Sequence, residues 1–229
     1  MKMVRLYISL LVLLIVAFVS CKKQDAAPQF HYDYFDLTQG RYIDYDVMEI
    51  NHDVDQAVEH DTSYYQLRTL IGDTAIDNQG RIARKFFRYK RPNSAGTWEL
   101  SDVWTALITE NRAELIEENQ RIIKLVFAPT ISKEWNPNSF NMYPEQTFYY
   151  GDIHEPYTLG ALFFDSSLVV IQEENEPNLI EYKKQYEVYA KGIGLVHKYF
   201  KDLTIANFDT LNVQKGQELF YTCFAYGIQ

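Results

Sequence analysis

The chain has 229 residues, of which 31 are acidic and 22 are Lys or Arg, and its formal net charge is −9. Proteins that bind nucleic acids hold the phosphate backbone with Lys and Arg, so this charge speaks against nucleic acid as a partner. Hydrophobic residues make up 47% of the chain and aromatic residues 15%, which is enough to build the core of a folded protein.

The first twenty residues have the pattern of an export signal. Lys2 and Arg5 precede an apolar run over residues 6–19 that only Ser9 interrupts. A transmembrane helix needs about 20 apolar residues, and this run is shorter, so we predict a signal peptide over residues 1–20. Its removal takes away two positive charges and leaves the rest of the chain at a net charge of about −11.

The signal ends at Phe18-Val19-Ser20-Cys21, which resembles the lipobox of bacterial lipoprotein precursors. The resemblance implies that Cys21 carries fatty acyl chains such as palmitate and begins the mature protein. The alternatives are an uncleaved anchor and an ordinary signal peptide, of which the latter would leave an exposed, oxidisable thiol. Each buried CH₂ group contributes about 0.8 kcal/mol, so several acyl chains would hold the protein firmly to a membrane.

We interpret residues 21–33 as the lipidated N-terminus and a tether, because the stretch after the cysteine is polar and lacks periodicity. Lys22 directly follows the cysteine, which by resemblance to known sorting rules favours the outer membrane of a bacterial cell envelope, with the leaflet left open. Once Cys21 is lipidated, Cys223 has no partner in the chain. Its strand-like surroundings predict a buried, inert thiol.

The remainder of the chain, residues 34–229, alternates with a period of two. Ile43, Tyr45 and Val47 alternate with more polar neighbours, as a strand with one dry face requires. Other runs with this character cover residues 63–71, 82–90, 103–109, 113–118, 121–127, 145–150, 167–173, 180–190, 194–200 and 218–226.

Turn-forming residues separate these runs, at 77–80, 92–96, 118–120 and 191–194. Short strands joined in this way form an antiparallel meander, so we predict a single all-β domain with a curved sheet, a half-open barrel or a sandwich. Residues 178–189 also fit a helix, although their Tyr and Val content favours a strand. We expect a long loop over residues 129–144.

Four segments resemble an uncharacterised family of lipoproteins from Bacteroidota with lipobox signal peptides: YFDL at 34–37 followed by Gly40 and Tyr42, ENQRIIKLVF at 118–127, EWN at 134–136, and YEVYAKGIGLVHK at 186–198. The resemblance implies a location in the envelope and carries no assigned activity. Two triplets, Asp73-Thr74-Ala75 and Asp209-Thr210-Leu211, resemble sites at which Bacteroidota attach O-glycans, so Thr74 and Thr210 are candidate glycosylation sites.

Residue patterns for catalysis or metal binding are weak. His52 and His60 lie in acidic stretches that a hairpin loop is expected to separate, so we predict a solvated loop and neither a metal site nor a cofactor. No Gly-x-Ser-x-Gly motif marks a nucleophile, and Ser166 and Ser167 follow a predicted Phe-Phe-Asp turn rather than ending a strand before a helix. We interpret residues 173–176 as a charged turn, and we predict no catalytic residues.

The aromatic residues suggest binding, although Tyr is also simply common in antiparallel strands. We expect a non-enzymatic module that binds a glycan, peptide, lipid or envelope protein, with Trp98, Trp104 and Trp135 as candidate contacts. One alternative is a carrier of apolar ligands with an open barrel, its cavity lined by Phe87, Leu107 and Val126. Another is an envelope hydrolase that uses Asp or Glu.

Overall fold

A computed structural model describes residues 29–131 and 133–229. The predicted signal peptide, the lipidation site Cys21 and the tether up to residue 28 lie outside these residues. Within the described ranges, no helix is both long and apolar enough to cross a membrane.

The described chain forms twelve β-strands and a single turn of 3₁₀ helix. The helix is Tyr32–Phe35. The strands are β1 Arg41–Asp53, β2 His60–Ile76, β3 Ile82–Arg91, β4 Glu99–Ile108, β5 Arg112–Glu117, β6 Gln120–Val126, β7 Glu134–Trp135, β8 Phe148–Leu159, β9 Leu162–Glu174, β10 Glu181–Ala190, β11 Gly194–Ala206 and β12 Asp209–Ile228.

All twelve strands belong to one antiparallel sheet with the order β6-β5-β4-β3-β2-β1-β12-β11-β10-β9-β8-β7. The sheet is a meander along most of the chain, except that β1 pairs with β12 in its middle. It curls into a nearly closed, barrel-like shape. The predicted all-β, antiparallel single domain is therefore confirmed, and residues 181–190 form a strand rather than a helix.

Local turn chemistry explains the short connections between the strands. Glu118 and Asn119 both have positive φ, 48° and 61°, as the two central residues of a tight hairpin turn with φ > 0 at both positions. Asn207 and Phe208 form a similar turn at φ 57° and 61° between β11 and β12. The sequence predicted the first of these turns and missed the second, because Phe is an unusual residue at positive φ.

Hydrogen bonds join the two ends of the sheet along a seam. The backbone of β6 lies on one side of this seam, and residues of β7, β8 and the loop between them lie on the other. The Ile123 N–H of β6 donates to the Pro137 carbonyl at 3.0 Å. The indole N–H of Trp135 donates to the Ile123 carbonyl at 3.1 Å, and the Tyr150 hydroxyl bonds both the N–H and the carbonyl of Val126. These bonds satisfy backbone groups that an edge strand would otherwise leave open.

The same seam contains much of the hydrophobic core. Leu115 and Leu125, from β5 and β6, belong to one buried cluster with Trp135, Tyr150 and Leu168 from β7, β8 and β9. Packing between strands from opposite ends of the strand order removes the inner face of the sheet from water. This burial holds the sheet in its curled shape.

Three predictions of local structure were wrong. Residues 163–165, which were predicted to form a turn, lie within β9, and Glu173 and Glu174 finish the same strand rather than forming a charged turn. The predicted loop over residues 129–144 contains the short strand β7, in which Trp135 is buried. In each case tertiary pairing extends a strand into a segment whose polar residues favour a turn.

Candidate functional site

A cavity of about 100 Å³ lies between the two halves of the curled sheet. Strands β1 to β6 contribute one part of its wall, strands β10 to β12 another, and the segment around Phe35 a third. Its walls are mainly apolar or aromatic and include Ile43, Leu67, Phe86, Trp104, Leu115 and Tyr189. A concave, apolar space with a few polar groups is the usual form of a small-molecule site.

An ion pair crosses the interior of the cavity. The Lys124 Nζ on β6 lies 2.8 Å from Glu187 Oε1 on β10, and both side chains are almost completely buried. The Tyr189 hydroxyl donates to the other carboxylate oxygen of Glu187 at 2.6 Å. Burial alone would raise the pKa of Glu187, but the ammonium groups of Lys124 and Lys198 together with these hydrogen bonds lower it to about 2.

Arg88 is held firmly in the wall of the cavity. Its guanidinium carbon lies 4.1 Å from the centre of the Trp104 ring, a cation–π contact. Its Nη1 donates to Asp102 Oδ2 at 3.0 Å, and its Nη2 donates to the Tyr221 hydroxyl at 3.2 Å. These three contacts fix the orientation of both the guanidinium and the indole.

Two further charged groups of the wall are more loosely paired. The Lys198 Nζ lies 3.9 Å from Glu187 Oε1, which already receives the shorter contact from Lys124. Glu117 has no ion pair with another residue in the described ranges, and its charge acts on Lys124 only at longer range. The cavity therefore offers one ammonium group and one carboxylate with capacity for a further polar contact.

The three candidate tryptophans lie in separate places. Trp104 lines the cavity, whereas Trp135 is 9% exposed and its N–H is used at the seam. Trp98 stacks against the guanidinium groups of Arg68 and Arg91, with distances of 4.9 and 4.1 Å to its ring. The structure thus brings only one of the three to the cavity and forms no shared tryptophan face.

The predicted cavity lining of Phe87, Leu107 and Val126 was wrong, because none of the three lines the cavity. Phe86, one position earlier, lines it instead. Phe87 points to the opposite face of β3 and covers Gly72, where a Cβ atom would lie only 2.3 Å from the ring. Successive side chains of a strand point to opposite faces, so an error of one residue reverses the assignment.

The candidate glycosylation sites lie on strands near turns. Thr74 is exposed in β2, where its hydroxyl accepts a hydrogen bond from Arg84 Nη1 at 3.0 Å. Thr210 is partly exposed at the start of β12. Glycosylation of these two residues stays a prediction.

His52 and His60 lie directly opposite each other in the β1–β2 pairing. The prediction of a solvated loop was wrong for His52, which is 9% exposed, although His60 is exposed. The hairpin loop that was taken to separate the two residues folds back and brings them together.

The predicted burial of Cys223 is confirmed, since the residue is 2% exposed in β12. Burial raises the pKa of its thiol to about 12. The inertness of this thiol stays a prediction.

Sequence reasoning missed the charged residues of the cavity wall. Lys124 was visible as a lone cation within the apolar run Ile122-Ile123-Lys124-Leu125-Val126, and Glu187 as a lone acid between Tyr186 and Val188. A charged side chain on the buried face of a strand needs a partner of opposite charge. This signal identifies each residue but not its partner on a distant strand.

No family model matches the chain, and no curated protein matches it. A solved structure of a candidate lipoprotein from Parabacteroides distasonis is similar over 88% of this chain and 100% of its own length. The identity is 12% and the TM-score is 0.36. At these values the similarity supports neither a family nor a function for this chain.

Proposed function

We propose that this protein is a lipid-anchored lipoprotein of the bacterial envelope that binds a small anionic organic molecule in its cavity, without catalysing a reaction. The observation that carries the proposal is the loosely paired Lys198 ammonium in a mainly apolar, aromatic wall. The anchor on Cys21 is predicted from the lipobox, and the outer membrane is the proposed location because Lys22 follows the cysteine.

The size of the cavity restricts the ligand. A cavity of about 150 Å³ holds a molecule the size of benzene. The enclosed space here is about 100 Å³ and the cavity is open on one side, so a ligand with a single ring would lie partly in the opening.

The charges of the wall favour an anionic group on the ligand. Glu187 already pairs with Lys124 and accepts a hydrogen bond from the Tyr189 hydroxyl, so its contact with Lys198 is the weakest of the three. A ligand carboxylate beside Lys198 would therefore form a stronger ion pair with Lys198 than Glu187 does. Charge-assisted hydrogen bonds in such partly desolvated surroundings are stronger than neutral ones. Glu117 would accept a hydrogen bond from a donor elsewhere on the same ligand.

The cavity is lined by residues that come soon after the predicted anchor in the chain. Phe35, Asp36 and Arg41 line the cavity and directly follow the predicted tether. Residues 29–33 belong to the described structure, and the eight residues 21–28 that precede them span at most about 29 Å when fully extended. The binding site would thus stay close to the membrane surface.

The proposal is tested with three probes that share a ring and differ in charge. The full chain is purified in detergent and titrated with benzoate, benzyl alcohol and benzylamine by isothermal titration calorimetry. We expect benzoate to bind at least tenfold more tightly than benzylamine, with the neutral alcohol between them. Tighter binding of benzylamine, or no binding of any probe, would overturn the proposal.

Matched variants show whether Lys198 is responsible for the preference. Lys198→Gln should reduce the affinity for benzoate about tenfold, which corresponds to about 1.4 kcal/mol, and Lys198→Arg should retain most of it. Lys85→Gln is the control, because Lys85 is an exposed lysine that pairs with Asp73 and does not line the cavity. Equal benzoate affinity in the Lys198→Gln variant and the unmodified protein would contradict the assignment.

A further inference from the structure

We propose that His52 and His60 form a binding site for a divalent transition-metal ion such as Zn²⁺, at the end of the β1–β2 hairpin. The two residues are direct partners in the antiparallel pairing of β1 and β2. Their Nδ1 atoms face each other at 2.9 Å, and the ring centres are 5.0 Å apart. At this distance the two nitrogens are hydrogen-bonded to each other, and a metal ion would take the place of the hydrogen between them.

A carboxylate orients the buried histidine. The Glu218 Oε1 lies 3.0 Å from His52 Nε2, and its other oxygen lies 2.6 Å from the Lys201 ammonium. The Glu218 carboxylate accepts a hydrogen bond from the N–H at His52 Nε2. With its hydrogen at Nε2, the His52 ring has a lone pair at Nδ1, which is the atom that faces His60.

The hydrogen bond from His52 to Glu218 is also a feature of known metal sites. A histidine that binds a metal usually donates its other ring N–H to a carboxylate, which fixes the tautomer and the ring orientation. His52 and Glu218 are 9% and 8% exposed, whereas His60 is exposed and gives an ion access from solvent.

The distances require only a small adjustment. Zinc binds histidine nitrogen at about 2.0–2.1 Å, so two ligands at a tetrahedral angle are about 3.3 Å apart. The two Nδ1 atoms, now 2.9 Å apart, would separate by a few tenths of an ångström. The exposed His60 ring provides this movement, and its hydrogen moves from Nδ1 to Nε2, so that both Nδ1 atoms have a lone pair for the metal ion.

His52 and His60 would be the two protein ligands of the metal ion. The described residues contain no group of three or more His, Cys, Asp or Glu that could hold one. Water would complete the coordination, and we expect weaker binding than at a site with four protein ligands. Imidazole selects Zn²⁺, Cu²⁺ or Ni²⁺, whereas Mg²⁺ and Ca²⁺ require oxygen ligands.

Calorimetric titration of the full chain with ZnCl₂, in detergent and without an affinity tag, tests the site. We expect one Zn²⁺ per chain and no binding of Mg²⁺. His60→Asn should weaken the affinity for Zn²⁺ at least tenfold. Glu218→Gln should weaken it about 10- to 100-fold, which is the typical loss when an orienting carboxylate is removed.

His31→Asn is the matched control, because the His31 ring lies 4.4 Å from the His154 ring and forms the other close pair of histidines. This variant should bind Zn²⁺ as the unmodified chain does. The exposed position of His60 means that His60→Asn should keep its fold, which circular dichroism verifies. Absence of Zn²⁺ binding, equal affinity in the His60→Asn variant, or a loss in the His31→Asn variant would overturn the proposal.

Discussion

The ammonium group of Lys124 lies 2.8 Å from the carboxylate of Glu187, although the two residues are 63 positions apart in the chain. Lys124 belongs to β6, the strand at one edge of the sheet, and Glu187 belongs to β10, near the other end of the strand order. Direct contact between them requires the sheet to curl onto itself. The pair therefore joins the two halves of the wall that enclose the cavity.

Replacing Glu187 by Gln should destabilise the protein by about 3–5 kcal/mol, because the buried ammonium of Lys124 then lacks its counter-charge. Urea unfolding measures this loss as a lower midpoint at an unchanged slope. Glu174→Gln is the control, since Glu174 forms an exposed pair with Lys184. Exposed pairs contribute about 0–1 kcal/mol, so similar losses in the two variants would contradict the importance of the buried pair.

The stability of the protein should fall in acid as Glu187 takes up a proton. The pKa of its carboxyl is about 2 in the folded protein and about 4.3 in an unfolded chain. The depressed pKa means that this stabilisation is complete above about pH 5 and is lost as the pH falls towards 2. Urea unfolding at pH 7, 4 and 3 should show the loss.

The Glu187→Gln variant is the reference for this measurement, because its amide does not titrate. Its stability should depend less on pH between 5 and 3 than that of the unmodified protein. Parallel curves for the two proteins would show that another carboxylate causes the acid sensitivity.

The Cys223 thiol should resist modification in the folded protein. Burial raises the pKa of its thiol to about 12, so very little thiolate is present at pH 8. Reaction with a disulfide reagent at pH 8 should therefore be slow in buffer and fast in urea. Ser63→Cys supplies an exposed thiol in β2 as the positive control. Equal rates for the two thiols in buffer would show that Cys223 is accessible.

Replacing Cys21 by Ser should abolish lipidation. We expect the variant to lose the mass of the acyl groups and to change its distribution between membrane and soluble fractions, because the covalent anchor is missing. Intact mass spectrometry and membrane fractionation measure both effects. Cys223→Ser is the matched control and should stay lipidated. Unchanged processing and location of the Cys21→Ser variant would contradict the lipoprotein assignment.

Local pattern was sufficient to predict most strands and several turns. The alternation of Ile43, Tyr45 and Val47 predicted β1, and Glu118 with Asn119 marked the turn between β5 and β6. These features depend on neighbours in the chain, whose spacing sequence records directly. The pairing of β1 with β12 depends on residues far apart, and alternation carries no information about the partner.

The candidate sites depend on register, which the sequence predicted poorly. Phe86 and Phe87 are both apolar, so composition does not tell which of them faces the cavity, and nearby register shifts at Arg88/Tyr89 and Ile71/Thr74 disturb the alternation. The contact of His52 with His60 depends on how the six residues between β1 and β2 close the hairpin. A shift by one residue would have pointed the two rings to opposite faces.

The β1–β12 pairing also determines when the molecule can fold. Glu49 and Gln217, which are hydrogen-bonded across these strands, are 168 positions apart, so the middle of the sheet stays incomplete until β12 has been synthesised. A sheet that is completed only by its last strand keeps the chain from reaching its final fold during synthesis. This suits a protein with a predicted export signal, since translocation requires an unfolded chain.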